Sequence, residues 1–125
     1  MAAIDDIITS QDLQLLADIG FIAGSRGMND HANAIFEAIR ALRPEQEAGF
    51  LGSAMIRILA GDPGAAIKEL EKAPTTVATR TFLGIALVQQ GNVPRGREVL
   101  EAVVSTAPDT PFAHLAETTL TDIQA

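Results

Sequence analysis

FLGSAMIRILAGDPGAAIKEL, residues 50–70, decides the fold, because its layout of small and large residues recurs on either side of it. Gly61, Ala66 and Leu70 stand 5 and 4 residues apart. Gly27, Ala32 and Phe36 repeat that spacing 34 residues earlier, and Gly91, Gly96 and Leu100 repeat it 30 residues later. Self-similarity at such a period belongs to repeat architectures, in which each unit is one supersecondary element stacked on the next. Function must then be read from the surface that the units build together.

Within the stretch, a helix is predicted over residues 45–59, with Ala48, Leu51, Met55, Ile58 and Leu59 on one side and Ala54 beside them. Gly61-Asp62-Pro63 makes the turn: Asp62 can cap, and Pro63 takes the first helical position, where its missing N–H costs nothing. The next helix holds Ala66, Ile67 and Leu70 but meets Pro74 early. It should be one turn short, which accounts for the contraction from 34 to 30 residues.

Towards the N-terminus, residues 1–9 add at most a short turn, and the first firm helix begins near Ser10, a plausible N-cap with Asp12 in the first turn. Leu13, Leu16, Ala17, Gly20, Phe21 and Ala23 follow at helical spacing, and Gly24-Ser25-Arg26-Gly27 ends the run. Asn29 or Asp30 starts a second helix, with Ala32, Ile35, Phe36, Ile39 and Leu42 on one apolar face, and Pro44 stops it. Towards the C-terminus, a helix over residues 76–90 carries Phe82, Leu83, Ile85, Ala86, Leu87 and Val88 and ends at Gly91-Asn92. Another spans 94–106 with Val99, Leu100, Val103 and Val104, and a last one, 111–123, carries Phe112, Leu115, Leu120 and Ile123 as the cap of the stack. No segment alternates as a half-buried strand does, so the fold class is all-α.

Composition agrees and narrows the function. A chain of 125 residues suits one domain able to bury a sizeable core. With 47% hydrophobic residues but only 4% aromatic ones, and neither Trp nor Tyr, that core is made of Ala, Leu, Ile and Val, which lets helices approach closely. There is no Cys, hence no disulfide framework, thiolate metal site or thiol nucleophile. The opening MAAIDDII lacks the basic and long apolar regions of a signal peptide, and no stretch has the length to span a bilayer. A net charge of −7 with scattered Lys and Arg would repel phosphate backbones, so neither nucleic acid nor membrane is an expected partner.

The pattern resembles the tetratricopeptide repeat (TPR), a 34-residue helix-turn-helix unit of the form W-x2-L-G-x2-Y, then A-x3-F, then P. Leu16, Ile19, Gly20, Ala23, Ala32, Phe36 and Pro44 occupy the seven diagnostic places of the first unit. Arg80, Leu83, Gly84, Leu87, Gly96, Leu100 and Pro108 occupy those of the third, and Phe50, Ser53, Ala54, Arg57, Ala66 and Leu70 those of the shortened second. The resemblance implies a single TPR domain over residues 1–125, with repeats at about 13–46, 47–76 and 77–108 and the capping helix at about 111–123. Small residues where paired helices cross should set Gly20 against Ala32, Ala54 against Ala66 and Gly84 against Gly96.

By similarity to that family, the concave groove is lined by Gln14, Ala17, Phe21 and Gly24, then Ala48, Leu51, Met55, Ile58 and Leu59, then Ala78, Thr81, Ile85, Val88 and Gln89. The partner-binding residues among them would be Ala17, Phe21, Ala48, Leu51, Met55, Ile58, Leu59, Ile85 and Val88. TPR modules that grip a terminal carboxylate use Lys, Arg and Asn at these places; apolar residues suit the greasy face of an amphipathic helix instead. The same side chains would equally serve as plain core in a small, tightly curled superhelix.

The whole chain also resembles the small TPR chaperones of bacterial type III secretion, above all the G-type chaperone of the needle subunit. The likeness rests on three repeats plus a cap, the segment LQLLADIGFIAGSRGMNDHANAIFEAI and the truncated second unit GDPGAAIKELEKAP. It implies a cytoplasmic holdase whose groove covers an amphipathic helix of a secreted protein and prevents premature polymerisation, with a small helical co-chaperone alongside. The alternative is a general TPR adaptor, or a scaffold that forms a homodimer through the same face.

An enzyme is not expected. His31 stands beside Asn29 and Asp30, and His114 has Glu117 three residues on but no third ligand for a metal. Asp5, Asp6 and Glu45 to Glu47 read as solvated charges or first-turn acids that favour the helix dipole. GSRG and GDPG lack the Lys-Ser/Thr of a phosphate loop and follow no strand. No nucleophile has a base and an orienting partner, and no cofactor is implied.

Overall fold

The structure, a computed structural model, describes residues 7–124; the predicted solvated pair Asp5 and Asp6 lies outside them. Seven helices follow one another: α1 (Ser10–Ser25), α2 (Asn29–Leu42), α3 (Ala48–Leu59), α4 (Pro63–Lys72), α5 (Val77–Gln90), α6 (Val93–Thr106) and α7 (Pro111–Gln124). There is no strand among the described residues. Each helix packs on the next, and α1 also touches α3, α3 touches α5, and α5 touches α7. The odd-numbered helices therefore form one continuous layer and α2, α4 and α6 a second. This is a TPR-like α-solenoid of three helix pairs plus a C-terminal helix.

The turn glycines set the repeat. Gly27, Gly61 and Gly91 all have positive φ (76°, 78° and 101°), a left-handed conformation that glycine adopts without steric cost. In each case the residue after the glycine donates its amide back into the helix just ended: Met28 to Ala23 O, Asp62 to Arg57 O and Asn92 to Leu87 O, all 2.9 Å. The same closing turn thus ends α1, α3 and α5.

Helix boundaries follow local chemistry. Asp62 caps α4 as expected, its Oδ1 accepting from the Ala65 amide (3.3 Å), and α4 has 10 residues where α2 and α6 have 14. Two starts differ from expectation. Thr9, not Ser10, caps α1: its Oγ1 accepts from the Asp12 amide while Asp12 Oδ2 accepts from the Thr9 amide, a reciprocal box that Ser10 could not close. Helix α3 begins at Ala48 rather than Glu45, so Glu45 to Glu47 precede the helix instead of filling its first turn. There the Gln46 amide closes a turn onto Arg43 O (3.1 Å), and the Glu47 carboxylate accepts a hydrogen bond from Thr76 Oγ1 at the start of α5.

The core is divided along the stack. One cluster joins Leu13, Ala17, Phe36 and Ile39 with Ile56; a second joins Ala54, Ala66, Leu70, Leu83 and Leu87; a third joins Leu100 and Val103 with Ala116 of α7. Such a linear arrangement makes stability a sum of units and of the contacts between neighbours. The fully buried Phe36 fills the space left by two glycines. A Cβ placed at Gly20 would lie 2.8 Å from its ring, and one at Gly52 only 2.1 Å. The closest neighbours of Gly20 are therefore Phe36 and Ile35, not the expected Ala32, which lies nearer Gly24. The expected Gly84–Gly96 crossing is present: a Cβ at Gly96 would stand 3.0 Å from the Gly84 carbonyl oxygen.

Candidate functional site

The concave layer between α1 and α3 carries most of the predicted groove positions. Its floor is half-buried and apolar: Phe21 from α1, and Leu51, Met55 and Ile58 from α3. Phe21 is held by a tilted ring contact with Phe36 (4.9 Å between centroids), while Leu51 and Ile58 rest on the second core cluster. Met55 is half-buried and stands outside the three clusters, which leaves its flexible thioether side chain to the surface of the floor.

Two clefts bound that floor. At the end where α1 and α3 begin, Gln14, Ala17 and Ala48 line a cleft of about 190 Å³ with Ser10, Leu13, Ile39 and Gln46. This is below the roughly 300–1,000 Å³ of small-molecule clefts and suits single side chains better than a free ligand. At the other end, Gly24 and Leu59 line a cleft of about 460 Å³ with Ser25, Gly27, Asn29 and Ala60. Leu59 is 72% exposed, an unusual position for a leucine that ends a helix on a groove rim.

The predicted residues of the third unit lie differently. Ala78 and Thr81 are buried, and Thr81 Oγ1 is satisfied by the Val77 carbonyl (2.7 Å). Ile85 and Val88 are half-buried against the third core cluster, beneath Phe112 and Leu120 of α7. Val88 also faces the α5–α6 crossing, since a Cβ at Gly96 would meet its Cγ2 at 2.7 Å. Gln89, exposed, donates from Nε2 to the Ile58 carbonyl (3.1 Å) and ties α5 to the end of α3. The structure thus gathers Ala17, Phe21, Ala48, Leu51, Met55, Ile58 and Leu59 along one face and sets Ile85 and Val88 under α7.

Sequence reasoning missed two features that shape this face. Gly49 and Gly52 let α3 press on α2: a Cβ at Gly49 would fall 2.6 Å from the Arg40 backbone nitrogen. Their signal was available as glycines inside an otherwise apolar helix run. The second is Arg40, whose guanidinium lies 4.2 Å above the Phe50 ring and pairs with Glu69 of α4, bracing α3 from behind. Elsewhere, His31, His114 and Glu117 are exposed, and no group of His, Cys, Asp and Glu among the described residues could hold a metal. No helix among them is long and apolar enough to cross a membrane.

No family model matches the chain, and no curated protein does. Solved structures do. The type III secretion translocator chaperone SycD of Yersinia enterocolitica superposes with a TM-score of 0.80 at 19% identity, over 95% of this chain and 92% of that one. A second structure of SycD, in an alternative dimer, gives a TM-score of 0.70 at 19% identity, over 94% of this chain and 98% of the other. At that identity the likeness is one of fold, and it spans nearly the whole of both chains.

Proposed function

We propose that this chain is a cytoplasmic, non-enzymatic chaperone of type III secretion that holds an amphipathic helix of an export substrate against the face between α1 and α3. The observation that carries the reading is the half-buried apolar floor of Phe21, Leu51, Met55 and Ile58, open at both ends into clefts. A helix laid there would place apolar side chains at i, i+3/i+4 and i+7 along the floor and into the clefts, with its polar face outward. Each apolar Å² removed from water contributes roughly 25 cal/mol, so a few anchors suffice for a releasable complex. Full-length likeness to a translocator chaperone supports the class.

Within that class, the finer reading is a needle subunit as substrate, kept from polymerising by cover on its apolar helix, with a small helical co-chaperone alongside. The likeness to SycD favours a second reading, in which the substrate is a translocator segment. Calorimetry separates them, by comparing how the purified chain binds a peptide from the last helix of a needle protein and a peptide from a translocator. Met55→Glu and Ile58→Glu should each abolish binding of the preferred peptide while leaving helical circular dichroism intact. Unfolding of both variants would assign these residues to the core and remove the groove from consideration.

A further inference from the structure

Helix α1 carries a second apolar surface, turned away from the groove. Leu15, Ile19 and Ile22 are 61%, 45% and 52% exposed. Their register explains why this is abnormal. One repeat later the same places are held by Gly49, Ser53 and Ile56, and in the third by Thr79, Leu83 and Ala86, all six buried. In the later units a preceding helix pair supplies the cover, as Arg40 of α2 does for Gly49 and Gly24 of α1 does for Ile56. The first unit has no such neighbour among the described residues. A helix-lined surface built for a neighbour and left apolar is a docking face.

We infer that this face docks a second copy of the same chain, α1 against α1 in antiparallel pairing about a two-fold axis near Ile19. The sequence of the stripe is itself complementary under that operation. Asp12, Leu15, Ile19, Ile22 and Arg26 are spaced 3, 4, 3 and 4 residues apart, the seam spacing of paired helices. The acid and the base each stand seven residues from Ile19, on opposite sides, and both are exposed. Turning one helix end for end about Ile19 brings each Arg26 to the partner's Asp12 and each Leu15 to the region of the partner's Ile22. A parallel pairing would oppose Asp12 to Asp12 and Arg26 to Arg26. An isologous contact of this kind closes at two subunits and cannot propagate. It also leaves Phe21 and the groove positions free, because they lie on another side of α1.

The chain has no cysteine, so single-cysteine variants report the geometry directly. Sedimentation of the intact protein across concentrations should give a monomer–dimer equilibrium. Ile19→Asp, at an exposed site, should raise the dissociation constant at least tenfold with helical content unchanged, and Arg26→Glu should raise it about threefold at low salt, less at high salt. Under mild oxidation Ile19→Cys should form a covalent dimer, whereas Thr118→Cys on α7 should not. The Ile19→Cys result stands even where Ile19→Asp fails to fold. A chain that is monomeric at every concentration, or an Ile19→Cys variant that stays reduced while Thr118→Cys cross-links, overturns the assignment. So does loss of a different bound protein on Ile19→Asp in a monomeric chain, which would give the face to that protein.

Discussion

At Gly49 the fold leaves no room for a methyl group. The atoms in the way are the backbone nitrogen and Cα of Arg40, 2.6 and 2.7 Å from a Cβ there, and a helix backbone cannot step aside as a side-chain tip can. Gly49→Ala should therefore destabilise the protein by about 1–3 kcal/mol, in the range of overpacked cores. Gly64, in the first turn of α4, is the internal control: the nearest atom to a Cβ is Gln90 Nε2 at 3.6 Å. Gly64→Ala should be neutral or stabilise by up to about 1 kcal/mol, through lower backbone entropy in the unfolded chain. Urea midpoints of the two variants check the contrast, and equal shifts would contradict it. The sequence announced the turn glycines and the Gly84–Gly96 crossing because each lies within one unit and repeats in register. It did not announce Gly49 and Gly52, because their neighbours, Arg40 and Phe36, belong to the preceding unit, and no spacing inside either unit encodes that contact.

Among the helices, α5 is the one whose start is most heavily tied. Thr76 accepts from the Thr79 amide and Thr79 Oγ1 accepts from the Thr76 amide, while Thr76 Oγ1 donates to Glu47 at the head of α3. A single hydroxyl thus closes a cap and joins two helices of the concave layer. Thr76→Ala should cost about 1–2 kcal/mol in thermal or urea denaturation, at the upper end for an N-cap. Thr76→Ser should recover most of it, because the hydroxyl rather than the methyl is the working group. Serine no better than alanine would mean that the loss is packing. Element ends were legible wherever proline or glycine stands at a boundary, as at Pro44, Gly61, Pro63, Pro74 and Gly91. They were misplaced where the partner is distant: Glu47 looks like a first-turn acid by sequence, yet its carboxylate is engaged by a threonine 29 residues on.

The two ends of the stack are unlike, and the difference separates stability from recognition. Helix α7 turns His114, Glu117, Thr118 and Thr121 outward and sets Ala113 and Ala116 inward, the polar-backed cap a solenoid needs. Family register gave the angle of each residue about its helix, and so the floor of Phe21, Leu51, Met55 and Ile58. It could not give the closure of the superhelix, which α7 sets by covering Ile85 and Val88. If the units couple only to neighbours, removing α7 has a directional effect. A chain ending after Pro108 loses the cover of Leu100 and Val103, so α6 and then α5 should lose amide protection by orders of magnitude in hydrogen exchange. Helices α1 to α4 depend on the first two clusters and should keep most of theirs. The same truncated chain should still bind the helical peptide, with affinity reduced less than by Met55→Glu, because the floor and both clefts belong to the first two units. Uniform loss of protection along the chain would instead make the three clusters one cooperative core, and the binding face would then depend on the cap as much as on its own residues.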